Sequence, residues 1–237
     1  MLKNKLHKGF TLAEVLITLG IIGVIAALTI PTLINKTTNK ELETAFKKNY
    51  SMVQNAYKKA YYDNGNIPPN FDDKTDIDEF FSNFKISSAT APQGYFIKNF
   101  DKTLDMANDL YATFYFSNST YRTSYILADG SLIGIFSYNG SNGAGDVLVD
   151  TNGTKGPNRV GYDVFMYTNK NVVNTTILSP VGLFWQTPPE YIDPRFCTPI
   201  SLGGPGANNG SGAYCTYYAI LNTCPWDNTK GYWENLP

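Results

Sequence analysis

The feature that most limits what this chain can become is one run of apolar residues near its start. Residues 10–34 read FTLAEVLITLGIIGVIAALTIPTLI, with Glu14 as the single charge. About 20 such residues in a helix cross the hydrocarbon of a bilayer, so the run is long enough to span one. The segment before it, MLKNKLHKG, holds Lys3, Lys5 and Lys8 and no acid. Positive charge of that kind stays on the cytoplasmic side, which places everything after Asn35 outside the cytoplasm. Three ordinary readings compete. A secretory signal peptide has the same order of charge and apolar run, and Ala26-Ala27 imitates its cleavage site; its apolar part is shorter, however, and carries no carboxylate near its start. A simple single-span anchor has no evident use for Glu14, because a carboxylate in lipid is expensive and marks function by default. A buried core helix is rarely so uniformly apolar.

The order Lys8-Gly9-Phe10-Thr11-Leu12-Ala13-Glu14, followed by VLITLGIIGVIAALTIP, closely resembles the prepilin peptidase recognition segment of type IV pilins and type II secretion pseudopilins. A short basic leader, Gly9, Phe10, a Glu four residues beyond that Phe, and an unbroken apolar helix with Pro31 all fall at matching spacing. The resemblance implies cleavage by prepilin peptidase between Gly9 and Phe10 and methylation of the new Phe10 amine. It implies a helix over 10–33 that leaves the membrane to pack in a filament core. The implied partners are an inner-membrane assembly platform, membrane lipid before assembly, and copies of this chain or other pilins afterwards. The implied location is the inner membrane, with one span and the C-terminal head outside the cytoplasm, and then an extracellular or periplasmic filament. The physical chemistry agrees with that pattern. A buried carboxylate and a buried amine each need a partner. Glu14 of one subunit pairing with the Phe10 amine of a neighbour neutralises both and sets the axial register of assembly. Pro31 removes a backbone donor and is expected to kink or loosen the helix.

Past Asn35 the pattern turns amphipathic. Leu42, Ala45, Phe46, Met52, Val53, Ala56, Tyr57, Ala60 and Tyr61 recur at three- and four-residue spacing, with Glu41, Glu43, Lys47, Lys48, Lys58 and Lys59 on the other face. Asp63-Asn64-Gly65 stops it. The spacing predicts one helix over 10–62, about 80 Å long at 1.5 Å per residue. Its first half is expected to project and its second half to pack on a sheet. A small helix is predicted over 77–84 within a connecting region, 65–108. Strands are predicted over 110–116, 124–128, 131–136, 146–149, 163–167 and 214–221, with Asp129-Gly130 as a hairpin turn. The expected architecture is α+β and pilin-like: a long N-terminal helix packed on an antiparallel meander, with a loop-rich C-terminal region. The expected divisions are a leader at 1–9, a membrane or filament-core helix at 10–34 and a globular head at 35–237.

Segment 149–165, VDTNGTKGPNRVGYDVF, is similar to a glycine-punctuated segment in a branch of pilin-like proteins. Asp150, Asn152 and Asp163 are hard oxygen donors among glycines that permit tight turns, which suits calcium. Lys155 and Arg159 oppose a cation unless they point outward. The plain alternative is a turn in which Asp and Asn bond their own backbone. The glycine cluster 139–145 lacks the Lys-Ser/Thr ending of a phosphate loop and reads as a loop. Trp185, Trp226 and Trp233 read as core or contact residues. Cys197, Cys215 and Cys224 have no CxxC spacing and no histidine nearby, so one disulfide and one leftover thiol are expected in an oxidising compartment. Resemblance to the C-terminal disulfide region of many pilins favours Cys197–Cys215, which closes a loop around 203–212; Cys215–Cys224 is the alternative.

The chain has 237 residues, and its 19 basic and 20 acidic residues give a net charge of −1. Setting aside the three leader lysines leaves an acidic head with no bulk attraction for nucleic acid. The only histidine, His7, lies in the leader. Processing therefore removes Ser-His-Asp, Cys-His and His-ligated zinc chemistry together. The chain reads as a non-enzymatic filament subunit, with a secretion pseudopilin as the near alternative. A membrane-anchored binding module that does not polymerise is the alternative from another class. An anchored hydrolase working through paired carboxylates is a third, but no pair stands out.

Overall fold

The structure, a computed structural model, describes residues 11–90, 119–138, 143–155, 160–169, 176–180, 197 and 215–236. Gly9, Phe10, the predicted strand at 110–116, residues 139–142 of the glycine cluster, Arg159, Trp185 and the run 203–212 lie outside the described residues. The chain divides into two compact units, 1–40 and 41–237.

Helix α1, Leu12–Asp63, contributes to both. In the first unit it is apolar and exposed all round, with Leu16, Ile17, Leu19, Ile22, Val24 and Leu28 open to the surroundings. It continues as α-helix through Pro31. Three hydroxyls in this stretch bond back to their own helix: Thr18 Oγ1 donates to Glu14 O at 2.9 Å, Thr29 Oγ1 to Ile25 O at 2.9 Å and Thr37 Oγ1 to Leu33 O at 3.0 Å. Those three hydroxyls are satisfied without water, which suits a lipid environment.

In the second unit α1 buries Leu42, Phe46, Val53, Ala56, Tyr57 and Ala60, the stripe that the spacing predicted. Glu43 and Asn49 are buried with them. The helix ends as expected at Asp63. Gly65 N–H reaches Tyr62 O at 3.2 Å and Asn66 N–H reaches Tyr61 O at 3.0 Å, which ties off the last carbonyls. Helix α2, Lys74–Ser82, follows. Its cap is Asp73, whose carboxylate accepts from the N–H groups of Thr75 and Asp76, and it buries Ile77, Phe80 and Phe81.

Among the described residues, six strands form one antiparallel meander in chain order: β1 Ile86–Thr90, β2 Ser119–Leu127, β3 Leu132–Tyr138, β4 Gly145–Asp150, β5 Val164–Thr168 and β6 Ser179–Pro180. The α+β architecture, the long apolar N-terminal helix and the meander are as expected. The β2–β3 turn is closed by Leu127 N–H to Ser131 O at 2.8 Å and by Ser131 N–H to the Asp129 carboxylate at 3.0 Å. Period-two alternation sends Ile133, Ile135, Val147, Val149, Phe165 and Tyr167 into the core with the α1 stripe. Phe46 of α1 lies 4.4 Å from the Phe165 ring and 5.1 Å from the Trp233 ring. Leu132, Leu148 and Met166, on the other face, are also buried.

One expectation is corrected. The segment predicted as a strand over 214–221 is helical: α3, Cys215–Leu221. Its buried residues, Cys215, Thr216 and Ala219, share one helical face. Thr216 Oγ1 accepts from Met166 N–H on β5 at 2.9 Å. The local composition, rich in Tyr and Thr, favours a strand, and tertiary packing overrides it.

Candidate functional site

Three places were singled out in the sequence: the start of α1, the β4–β5 connection and the cysteines. At the first, Thr11 and Glu14 form a reciprocal cap. Glu14 Oε2 accepts from Thr11 N–H and from Thr11 Oγ1, each at 2.8 Å, and Thr11 Oγ1 accepts from Glu14 N–H at 3.3 Å. This is a capping box, Thr at the cap and Glu three residues on, which satisfies donors that a helix start otherwise leaves open. The sequence reading missed it, although Thr-Leu-Ala-Glu is its usual signature. Glu14 thus has a use within its own chain. α1 is long and apolar enough to cross a membrane, and its most apolar stretch is unburied.

Residues 4–30 match the family model described as the prokaryotic N-terminal methylation motif. The chain carries a prepilin-type signal of the type IV pilin and pseudopilin kind. The matched span includes Gly9, Phe10 and Glu14 and stops one residue short of Pro31. This signal implies processing by prepilin peptidase and assembly with other pilins. With the apolar helix, it points to anchoring in a membrane. No curated protein and no solved structure matches the chain.

At the second place, β4 and β5 bring the three expected donors to one end of the sheet, where Asp150 pairs in register with Val164. Asp150 and Asp163 are buried, at 1% and 0% exposure, and Asn152 is half-buried. Asp150 Oδ1 accepts from Asn152 N–H at 3.3 Å, and Thr151 N–H donates to Asp163 O at 2.8 Å. The first of these bonds is the self-closing turn of the plain alternative. The second ties the loop's two ends together. Thr151 Oγ1 is buried without a hydrogen-bond partner, and Lys155 is exposed. Among the described residues no three His, Cys, Asp or Glu side chains form a ligand group; the oxygen-bearing side chains along this stretch are those of Asp150, Thr151, Asn152 and Asp163.

Helix α1 touches this loop through Asn49, whose Nδ2 lies 3.5 Å from Thr151 O and 2.9 Å from Ala45 O. Gly153 packs directly on the β2–β3 turn: a Cβ at Gly153 would stand 2.1 Å from Gly130 O. Lys48 reaches the same turn, with Nζ 2.6 Å from the Asp129 carboxylate. Burial raises the Asp129 pKa, but the Lys48 ammonium and the Ser131 donors outweigh it and hold the carboxyl below its ordinary value.

At the third place, Cys197 and Cys215 form a disulfide, and Cys224 is free and buried. Tyr232 was not singled out in the sequence. It is fully buried, and its hydroxyl donates to Gly161 O. Trp233 is a core residue, while Trp226 is exposed.

Proposed function

We propose that the chain is a structural subunit of a type IV pilus-like filament, processed between Gly9 and Phe10 and polymerised through the first half of α1. The observation that carries this reading is the methylation motif over 4–30, seated on a helix that is apolar and unburied on every side. Unburied apolar surface of that extent needs lipid before assembly and other subunits after it. Glu14 then exchanges the Thr11 cap for the Phe10 amine of a neighbour. The head is a packed scaffold and not a catalyst. Calcium is proposed as a structural ion held by the Asp150 and Asp163 carboxylates and the Asn152 amide oxygen. What supports this reading is the donor set itself, two carboxylates and an amide oxygen on a glycine-punctuated turn, which is the oxygen-only ligand type that calcium takes.

The capping box favours one second reading, a membrane-anchored module that does not polymerise. If the Thr11 cap is all that Glu14 does, an anchor has a use for it. Electron microscopy of sheared cell-surface material, with and without the gene and alongside a secretion assay, separates the readings. Filaments that disappear with the gene support the pilus. Loss of secretion without surface filaments points to a pseudopilin, and neither loss points to the anchor.

A further inference from the structure

The disulfide and the β4–β5 connection meet at one residue, Gly161. Its φ is +85°, a left-handed conformation that favours glycine, and it has no room for a side chain. A Cβ there would lie 2.7 Å from Cys215 Sγ, 2.9 Å from Cys215 Cβ and 3.0 Å from the Tyr232 hydroxyl. Both main-chain polar groups of Gly161 are in use. Its N–H donates to Val164 O at 2.9 Å, and its carbonyl accepts from the Tyr232 hydroxyl. Cys197, Cys215 and Tyr232 are each at most 1% exposed. The Tyr232 ring packs edge-on against Trp233 at 5.1 Å, and Trp233 packs on Phe46 of α1 at 5.1 Å. The turn at Gly161 is therefore wedged between the bridge and the aromatic core.

We propose that the Cys197–Cys215 disulfide is a redox-sensitive clasp on the β4–β5 connection: the bridge seats Gly161 against Cys215 while Tyr232 holds the Gly161 carbonyl. The inference depends neither on the filament reading nor on any ion. Opening the clasp takes a dithiol reductant. One of its thiolates attacks a bridge sulfur, the S–S bond breaks, and the other cysteine leaves as a thiolate and takes up a proton. The second reductant thiol then displaces the first cysteine. The products are two cysteine thiols and a reductant oxidised to its own disulfide. Two thiols cannot remain at bonding distance, so the sulfurs separate to van der Waals contact. Cys215 Sγ already abuts Gly161, so its displacement disturbs that seat first. Because both cysteines are buried, attack waits for local opening, and the clasp stays shut in the intact head.

Residue-resolved amide hydrogen exchange on the full chain in detergent micelles tests this. The forms compared are wild type, wild type reduced with dithiothreitol, the Cys197→Ser/Cys215→Ser pair and Tyr232→Phe. The reporters are the amides of Thr151 and Gly161, bonded to Asp163 O and Val164 O, against that of Leu127, bonded to Ser131 O in the β2–β3 turn. In the reduced protein and both variants, Thr151 and Gly161 are expected to exchange at least about tenfold faster, with Leu127 unchanged, since local opening is read amide by amide. Equal acceleration of all three reporters would make the bridge a general stabiliser and overturn the clasp. An unchanged Gly161 amide would overturn it as well. Tyr232→Phe removes one hydroxyl and keeps the ring, so it tests the hold on the Gly161 carbonyl, and the dithiothreitol-reduced wild type tests the bridge even if the serine pair does not fold.

Discussion

Glu14 stands between two partners, one on its own chain and one proposed on a neighbour's. The Thr11 cap accounts for its position in the isolated subunit, and the two roles separate by mutation. Thr11→Ala removes the cap, worth about 1 kcal/mol of helix stability, and leaves the carboxylate for a neighbour's amine. Glu14→Ala and Glu14→Gln remove the register-setting charge. The filament account expects all three to insert in the membrane, Thr11→Ala to keep most filament yield, and both Glu14 variants to assemble poorly. Wild-type yield from Glu14→Ala would refute the register role. Equal loss from Thr11→Ala and Glu14→Gln would make the cap the reason for the residue. At the head, Lys48 and Asp129 join α1 to the β2–β3 turn. Because the folded Asp129 carboxyl titrates below its ordinary value, its contribution is full above the unfolded value of about 3.9 and is lost as pH falls through the folded one. Both groups are partly exposed, so about 0.5 kcal/mol is expected. Urea unfolding of wild type and Asp129→Asn should differ by that amount at neutral pH and converge in acid.

At the scale of elements, the meander was legible wherever period-two alternation met a turn residue. Asp129-Gly130 located the β2–β3 hairpin, 146–149 fell inside β4, and 163–167 overlapped β5 but began one residue before it. The α1 stripe was legible for the same reason at a period of 3.6. Buried Glu43 and Asn49 were not, because on composition they belong to the polar face; Glu43 pairs with Lys47 and Asn49 bonds Ala45 O on the same helix, with the loop at Thr151 O as a further contact. α3 was illegible because its helical face is set by a disulfide and by Met166 of β5, neither of which is local. The aromatic junction of α1, β5 and the C-terminal segment gives a direct prediction. Phe46→Ala should destabilise the head by about 3–5 kcal/mol, read as a drop in urea midpoint. The β4–β5 connection gives another. If it holds calcium, the melting midpoint of the full chain in micelles should rise with calcium concentration, and Asp150→Ala should abolish that rise. A midpoint indifferent to chelator leaves the Asp150–Asn152 bond as an ordinary turn.

At the scale of the whole molecule the chain pairs two solutions to the same physical problem. The second unit buries its apolar residues against itself, and the first unit leaves Leu12, Leu16, Ile22 and Leu28 among many others uncovered. A surface like that is stable only in lipid or against other helices, which is why the signal over 4–30 carries more of the functional argument than the head does. Mass spectrometry of sheared surface material tests the central claim most directly. The account predicts a chain that begins at Phe10 with a methyl group on its amine. An intact Met1 in that material, or an N-terminus near Ala27, would contradict it.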